Sequence, residues 1–188
     1  LILLVLFFLP PYAGAAGRMT EAALKGDAKA MDKMLQRDPE EINAGAPVKK
    51  LQAACPGESV LTPLQAASCA GHAAIAAKLL DSGAVPDLQT STGTTALLLA
   101  VSNGKDDIAR ILVERGANPD LAGADGNTPL ILSVKRANLP LVEFLLKNGA
   151  SPRRRNRDGE TALMLVSDAN MAKMLLDAGA DPMQKNNR

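Results

Sequence analysis

The densest run of charged side chains in this sequence is the stretch PRRRNRDGET, at positions 152–161. It places four arginines within five positions, namely Arg153, Arg154, Arg155 and Arg157. A basic cluster of this kind can bind phosphate groups, nucleic acid or the carboxylates of a partner protein. It can also be an ordinary solvated loop, and the choice depends on the structural element that carries it.

The rest of the chain argues against a nucleic-acid partner. The sequence has 21 basic and 20 acidic residues and a formal net charge of +1, so it exerts no overall attraction on a polyanion. No aromatic residues alternate with the arginines, and base stacking on single strands needs such rings. We therefore predict no nucleic-acid binding.

The residues that could support catalysis or metal binding are few. The single histidine, His72, has no patterned nucleophile with a carboxylate partner around it. One histidine and two cysteines cannot complete a closed zinc site without carboxylates. The segment GADGNT, at 123–128, lacks the alternating acidic ligands and the final Glu of a calcium loop. The sequence predicts no enzymatic activity, no metal and no cofactor.

These residues lie within a repeat that recurs along most of the chain. The motifs TPLQAA, TALLLA, TPLILS and TALMLV follow one another at intervals of 33 residues, and they begin at Thr62, Thr95, Thr128 and Thr161. A second set of motifs, in the second half of each unit, carries a glycine at Gly83, Gly116, Gly149 and Gly179. The last interval is 30 residues, so the final unit is three residues shorter. Threonine caps and glycine stops predict a helix, a tight turn, a second helix and an extended loop in each unit.

The apolar pattern indicates that the units stack. In the second helix of the first full unit, Ile75, Ala76, Leu79 and Leu80 form one stripe, too small to close a core by itself. When the start of the chain is aligned to the first full unit with an offset of 45 residues, Met31 and Met34 fall on the same stripe. This offset is 12 residues longer than the 33-residue period, so it indicates a divergent first unit followed by a 12-residue insertion. Methionines on terminal helices, including Met171 and Met174, either fill core gaps or form a docking face.

We number the units as follows: repeat 1 at 19–43, an irregular insertion within 43–60, repeat 2 at 61–93, repeat 3 at 94–126, repeat 4 at 127–159 and repeat 5 at 160–188.

The pattern resembles the ankyrin-repeat family in its 33-residue period, its Thr-Pro-Leu motif at Thr62, the AGH turn at 70–72 and the segment LLDSGA. The resemblance extends from Thr20 to about Asn187. It implies an all-α solenoid of stacked helix-turn-helix units, with hairpin-like fingers that form a concave face together with the first helices. The signature histidine is replaced by Gln65, Leu98, Ile131 and Met164. We therefore expect the units to rely on packing more than on the hydrogen bonds of that histidine.

The first residues, LILLVLFFLPPYAGAAGR, are typical of a signal peptide. Nine apolar residues cover about 14 Å of helix, less than the ~30 Å of a bilayer core. We predict a signal peptide over 1–15, truncated at its start and cleaved after Ala15, and an ankyrin domain over 16–188. The alternative is an uncleaved anchor. The chain resembles small exported bacterial ankyrin proteins, which implies a periplasmic or secreted location and no stable membrane insertion after cleavage.

The two cysteines, Cys55 and Cys69, are predicted to form a disulfide, because an exported chain meets an oxidising compartment. The bond would attach the insertion to the first helix of repeat 2, on the side that the resemblance assigns to the concave face.

The function implied by the resemblance is protein binding through the concave face and the fingers. The alternatives are an immunity protein that neutralises a cognate toxin, or a scaffold or accessory protein of an oxidative-stress or exported enzyme. Alignment of the units places Arg153 where Asp87 and Asp120 stand, so the arginine cluster lies on a finger. We hypothesise that Arg153, Arg154, Arg155 and Arg157 dock an acidic patch of the partner protein, and a solvated loop without a partner is the alternative.

Overall fold

The computed structural model describes residues 13–47, 55 and 58–187. Helices alternate with turns and loops along this part of the chain, and the predicted all-α repeat architecture is confirmed. The elements are α1 (Ala13–Lys25), α2 (Ala28–Arg37), a 3₁₀ helix (Pro39–Asn43), β1 (Ala46–Pro47), β2 (Val60–Leu61), α3 (Pro63–Ala70), α4 (Ala73–Asp81), α5 (Ala96–Ser102), α6 (Asp106–Glu114), α7 (Pro129–Lys135), α8 (Leu139–Lys147), α9 (Ala162–Leu165) and α10 (Ala169–Asp177).

Threonine caps start the first helices of repeats 2, 3 and 4. The hydroxyl of Thr62, Thr95 or Thr128 accepts a hydrogen bond from the amide three residues later, at 3.2–3.3 Å. Such a bond satisfies one of the amides that a helix start leaves without a partner. The repeated threonine therefore sets where each first helix begins.

Glycine ends the second helices of repeats 2 to 5. The four glycines at 83, 116, 149 and 179 have φ between +89° and +94°, which a side chain would disfavour. In repeat 2 the chain then wraps back, and the Ala84 amide donates to the Leu79 carbonyl at 2.9 Å. The glycine-stop prediction is confirmed.

The helices stack in two layers, with neighbouring first helices in contact from α1 through α9 and neighbouring second helices in contact from α4 through α10. Leu64, Leu97 and Leu130 occupy the same position in three successive units and are all buried. Met31 and Met171 are also buried, while Met34 and Met174 pack against the core. One apolar core therefore runs along the stack, and these methionines contribute to it.

Side chains also connect each unit to the next through a ladder of hydrogen bonds to the backbone. In three rungs an amide donates to a side chain of the preceding unit: Val85 to Asn43 at 2.8 Å, Asn118 to Asp87 at 3.0 Å and Ser151 to Asp120 at 2.8 Å. The fourth rung is reversed, because Arg153 Nε donates to the Gly179 carbonyl at 2.7 Å.

The region around the insertion carries the strands. Ala46 pairs with Leu61 and Pro47 with Val60 in an antiparallel ladder, so the chain leaves and returns at one point. Cys55 and Cys69 are joined by a disulfide. At the other end of repeat 1, α1 already begins at Ala13, and Ala16 and Met19 on this helix are buried. Cleavage after Ala15 stays a prediction and would fall within this helix.

Repeat 5 is less regular than its neighbours. Its first helix, α9, is a single turn, Ala162–Leu165. The Thr161 hydroxyl is buried and has no hydrogen-bond partner among the described residues. Leu176 and Met183 are 43% and 81% exposed. The three missing residues thus shorten the helix that the threonine caps in other units.

Candidate functional site

The fingers between successive repeats are short hairpin turns of one geometry. In each finger an amide donates to a carbonyl four residues later: Thr90 to Thr94 at 3.0 Å, Gly123 to Asn127 at 3.1 Å and Asn156 to Glu160 at 3.0 Å. The glycine before the end of each turn has φ of +76° to +79°. Because this geometry is shared, residues at the tips can vary in type without altering the turn.

The fingers of repeats 3 and 4 are bonded to one another. The Arg157 amide donates to the Asp125 carbonyl at 3.0 Å, and Asn156 Nδ2 donates to Asn127 Oδ1 at 3.2 Å. The chain after α10 continues this edge, because the Asn187 amide donates to the Asp158 carbonyl at 3.0 Å. The fingers of repeats 3 and 4 and the chain after α10 therefore form one bonded, pre-organised border.

The first helices contribute an inner row beside this border. Cys69, Ser102 and Lys135 occupy equivalent positions at the ends of α3, α5 and α7, spaced by 33 residues. Ser102 and Lys135 are exposed, whereas Cys69 is buried. Between repeats 3 and 4, a groove of about 310 Å³ is lined by Thr94, Leu98, Ser102, Asp125, Asn127 and Leu132, among others. The concave surface is thus open in repeats 3 and 4.

In repeat 2 the concave side is buried, and the described residues of the insertion contact it. Residues 61–69, which include most of α3, are all buried. Cys55 and Cys69 are 1% and 2% exposed, and the Thr92 hydroxyl on the finger donates to Glu58 Oε1 at 2.6 Å. The described part of the insertion therefore contacts both the inner row and the finger at repeat 2.

The arginine cluster lies on the finger of repeat 4, as predicted from the alignment of the units. Its side chains alternate in direction: Arg153 reaches forward to Gly179 of repeat 5, while Arg154 Nε lies 3.4 Å from Asp120 Oδ2 of repeat 3. This alternation follows from the extended backbone. Both guanidinium groups remain exposed at the surface but are engaged by the chain itself.

Arg155 and Arg157 differ in their contacts. Arg155 donates to the Gly159 carbonyl at 3.0 Å, the Lys185 carbonyl at 3.1 Å and Asn187 Oδ1 at 2.9 Å. The Arg157 side chain is exposed and makes no hydrogen bond or ion pair with the residues that the structure describes. Three of the four arginines thus stabilise the array, and partner docking by the cluster stays a hypothesis.

A buried glutamine network was missed at the sequence level. The Thr62 amide donates to Gln65 Oε1 at 2.9 Å, and Gln65 Nε2 donates to the carbonyls of Leu88 at 2.8 Å and Thr94 at 3.5 Å. The expectation that the units rely mainly on packing is wrong for repeat 2. A side-chain amide, like an imidazole ring, carries both a hydrogen-bond donor and an acceptor. The presence of Gln65 at the position of the signature histidine could therefore have predicted this network.

The side chain of His72 contacts the turn of repeat 1. Its Nε2 lies 3.0 Å from the Leu24 carbonyl, and a Cβ atom at Gly26 would lie 2.7 Å from the ring. The ring therefore packs across the turn of repeat 1.

Across 13–47, 55 and 58–187, His, Cys, Asp and Glu side chains form no group of three or more that could hold a metal ion. Within the same residues, every helix is too short or too polar to cross a membrane.

A family model described as ankyrin repeats (3 copies) matches residues 19–123 and again residues 115–186. The chain belongs to the ankyrin-repeat family. Ankyrin repeats are generally protein–protein interaction modules, and the family is typically non-enzymatic. A search among curated proteins finds no significant match to this ankyrin chain.

Proposed function

We propose that this ankyrin chain is a non-enzymatic binding module that holds a partner protein against its open concave surface. We define that surface as the inner-row residues Ser102 and Lys135 with the fingers 121–126 and 153–159. The observation that carries the proposal is the contrast along the inner row, where Cys69 is buried and bonded to Cys55, whereas Ser102 and Lys135 are exposed.

The hydrogen bonds between fingers support this function. A surface whose backbone is already fixed loses little conformational freedom when a partner binds, so more of the contact energy remains as affinity. Polar and charged side chains at the tips, such as Asp125 and Arg157, are positioned to select the partner by charge.

Export to the periplasm or the exterior is part of the proposal. It is supported by the signal-like first residues and by the disulfide, because disulfides persist in oxidising compartments. We expect the functional form to begin after Ala15.

The finger of repeat 4 is proposed to dock an acidic patch of the partner. Arg157 is the strongest candidate because its guanidinium group is exposed and unengaged by the described residues. Arg153, Arg154 and Arg155 add positive potential while their own bonds hold the finger in place. Arginine pairs with carboxylates in two-point contacts, which suits this role.

The test begins with residues 16–188 immobilised and exposed to a periplasmic extract of the source cells, with bound proteins identified by mass spectrometry. The captured protein is then purified, and its binding to variants is measured. Ser102→Arg and Lys135→Glu should each weaken binding by about tenfold or more, because they change the centre of the surface.

The matched control is Lys173→Glu, since Lys173 is exposed on α10, in the layer of second helices. It should bind like the unsubstituted chain. Equal affinity for all three variants would contradict the assignment of the concave surface. A captured toxin would favour an immunity role, and a captured peroxidase or catalase would favour a role in oxidative stress.

A further inference from the structure

Glu41 is a buried carboxylate in repeat 1. It lies on the 3₁₀ helix that follows α2 and is only 4% exposed. Its side chain makes no hydrogen bond or ion pair with the residues that the structure describes. Carboxylates are rarely buried unless a cation or hydrogen-bond donors pair with them, because burial removes their hydration. Glu41 is therefore available to bind a positively charged group.

The Glu41 side chain lines a cavity at the start of α1. The cavity has a volume of about 280 Å³ and lies between the start of α1, the end of α2 and the 3₁₀ helix. The charged residues that line it are Arg18, Arg37, Asp38, Glu40 and Glu41. The three acidic side chains outnumber the two basic ones, so one further positive charge would balance the described lining.

The bond that is predicted to be cleaved on export lies at the wall of this cavity. Ala15 lines the cavity, and its peptide bond joins it to Ala16. Gly14 is exposed and Ala15 is half-buried, whereas Ala16 is 4% exposed and is a core residue. Cleavage after Ala15 would therefore remove no residue of the described core. It would leave the new amino terminus on a buried residue beside the cavity.

We propose that the cavity at Glu41 is the binding site for the amino group that cleavage by a signal peptidase creates on Ala16. The oxygen of a water molecule goes to the Ala15 carbonyl carbon, and the two hydrogens of that water end on the Ala16 nitrogen. The products are a carboxylate, which leaves with Ala15, and an ammonium group, which pairs with Glu41. Each charge alone is costly to bury, and the pair offsets that cost. The inference rests on the export step of the proposed function.

The position of the new amino group at a helix start makes a negative partner necessary. The N-terminus of a helix carries a partial positive charge, so an ammonium group there is disfavoured and a nearby carboxylate is favoured. Arg18, the nearest basic residue along α1, is exposed and forms no ion pair with Glu41. Before cleavage the Ala16 nitrogen is a neutral amide. Repeat 1 should therefore be less stable in the uncleaved chain than in the cleaved one.

The test measures how fast the Ala16 amino group reacts with an acylating reagent in the chain 16–188. A protonated amine does not react, and pairing with a carboxylate favours the protonated form. At about pH 7 we expect acylation at least about tenfold slower in the unsubstituted chain than in Glu41→Gln. Peptide mapping distinguishes this amine from the lysines, and circular dichroism establishes that the helices are intact.

The matched control is Glu40→Gln, because Glu40 lines the same cavity but is exposed. It should change the acylation rate by less than about twofold, since solvent screens an exposed charge. A second control is a chain that begins at Ala13, whose amino group precedes the cavity by almost one helical turn. In that chain, Glu41→Gln should also change the rate by less than about twofold. Equal rates for Glu41→Gln and the unsubstituted chain 16–188 would overturn the inference.

If Glu41→Gln does not fold, thermal melts of the unsubstituted chain 16–188 replace the acylation. The melts compare a free Ala16 amino group with one that was acetylated during synthesis. A melting temperature lower by about 3 °C or more in the acetylated chain supports the pairing, and an unchanged one overturns it.

Mass spectrometry of the chain recovered after export identifies the cleavage position independently. A first residue other than Ala16 would overturn both the inference and the proposed cleavage. Equal acylation rates would overturn the pairing alone and leave export and partner binding unaffected. The two failures are therefore distinguishable.

Discussion

Repeat 2 and repeat 5 begin with the same kind of threonine motif but differ in how firmly they are held. In repeat 2 the Thr62 cap is reciprocal, because Gln65 Oε1 accepts a hydrogen bond from the Thr62 amide, and the helix is buried over residues 63–69. In repeat 5 the Thr161 hydroxyl has no hydrogen-bond partner among the described residues, and α9 is one turn long. The shared motif marks where a unit starts, whereas its stability depends on the helix length and on the covering that follow.

The difference also separates two kinds of surface. In repeat 2 a disulfide joins Cys69 on the concave side to Cys55, and repeat 5 exposes apolar side chains such as Leu176 and Met183 at the end of the described stack. Between them, repeats 3 and 4 have intact caps and an open surface. The comparison therefore predicts a gradient of stability that falls from repeat 2 to repeat 5.

The largest expected effect is the loss of the disulfide. Cys55→Ser/Cys69→Ser should lower the free energy of unfolding by about 3 kcal/mol, because the bond closes a loop of 14 residues in the unfolded chain. Urea denaturation measures the change, and hydrogen exchange in repeat 5 should stay the same. If the free energy of unfolding falls by less than about 1 kcal/mol, the disulfide is not the cause of the stability gradient.

The glutamine network should contribute the next largest effect. Gln65→Leu gives repeat 2 the residue that repeat 3 has at Leu98, and it leaves the Thr62 amide and the Leu88 carbonyl without their partner. We expect a loss of about 2 kcal/mol in urea denaturation, since buried polar groups without bonds are costly. Gln65→His should recover part of the loss, because imidazole also supplies a donor and an acceptor. Equal stability of Gln65→Leu and the unsubstituted chain would contradict this account.

The caps provide a matched pair of variants. Thr128→Val removes a hydroxyl that caps α7 and should cost about 1 kcal/mol. Thr161→Val removes a buried hydroxyl without a partner among the described residues and should be neutral or slightly stabilising. Thermal melts of both variants check the pair, and similar destabilisation by both would show that Thr161 does cap its helix.

The smallest effect concerns the last rung of the ladder. Arg153→Ala removes the bond to the Gly179 carbonyl and should lower the stability of repeat 5 by about 0.5 kcal/mol. The change should be seen as faster hydrogen exchange in repeat 5. Arg157→Ala is the control, because Arg157 makes no side-chain bond with the described residues, and its exchange pattern should not change. Unchanged exchange in Arg153→Ala would mean that the rung does not hold repeat 5.

The regular features of the fold could be predicted from the sequence because they depend on local chemistry. The threonine caps, the glycine stops and the finger position of Arg153 all follow from the 33-residue spacing. Other features depend on residues that meet only after stacking. The bond from Arg153 to Gly179 crosses the three-residue deletion, and the Gln65 network joins a helix to the following finger. Periodicity alone does not show such partners.

The reversed rung at Arg153 limits how this array could grow by duplication of its units. A copy of repeat 3 inserted before repeat 4 would place Asp120 beside an amide, so every new junction would pair an acceptor with a donor. A copy of repeat 4 added after itself would give Arg153 the carbonyl of the duplicated Gly149, but it would leave the duplicated Ser151 amide without the aspartate acceptor that Asp120 supplies now. We therefore expect that lengthened descendants of this chain gain units on the N-terminal side of repeat 4, while the junction between repeats 4 and 5 persists unchanged.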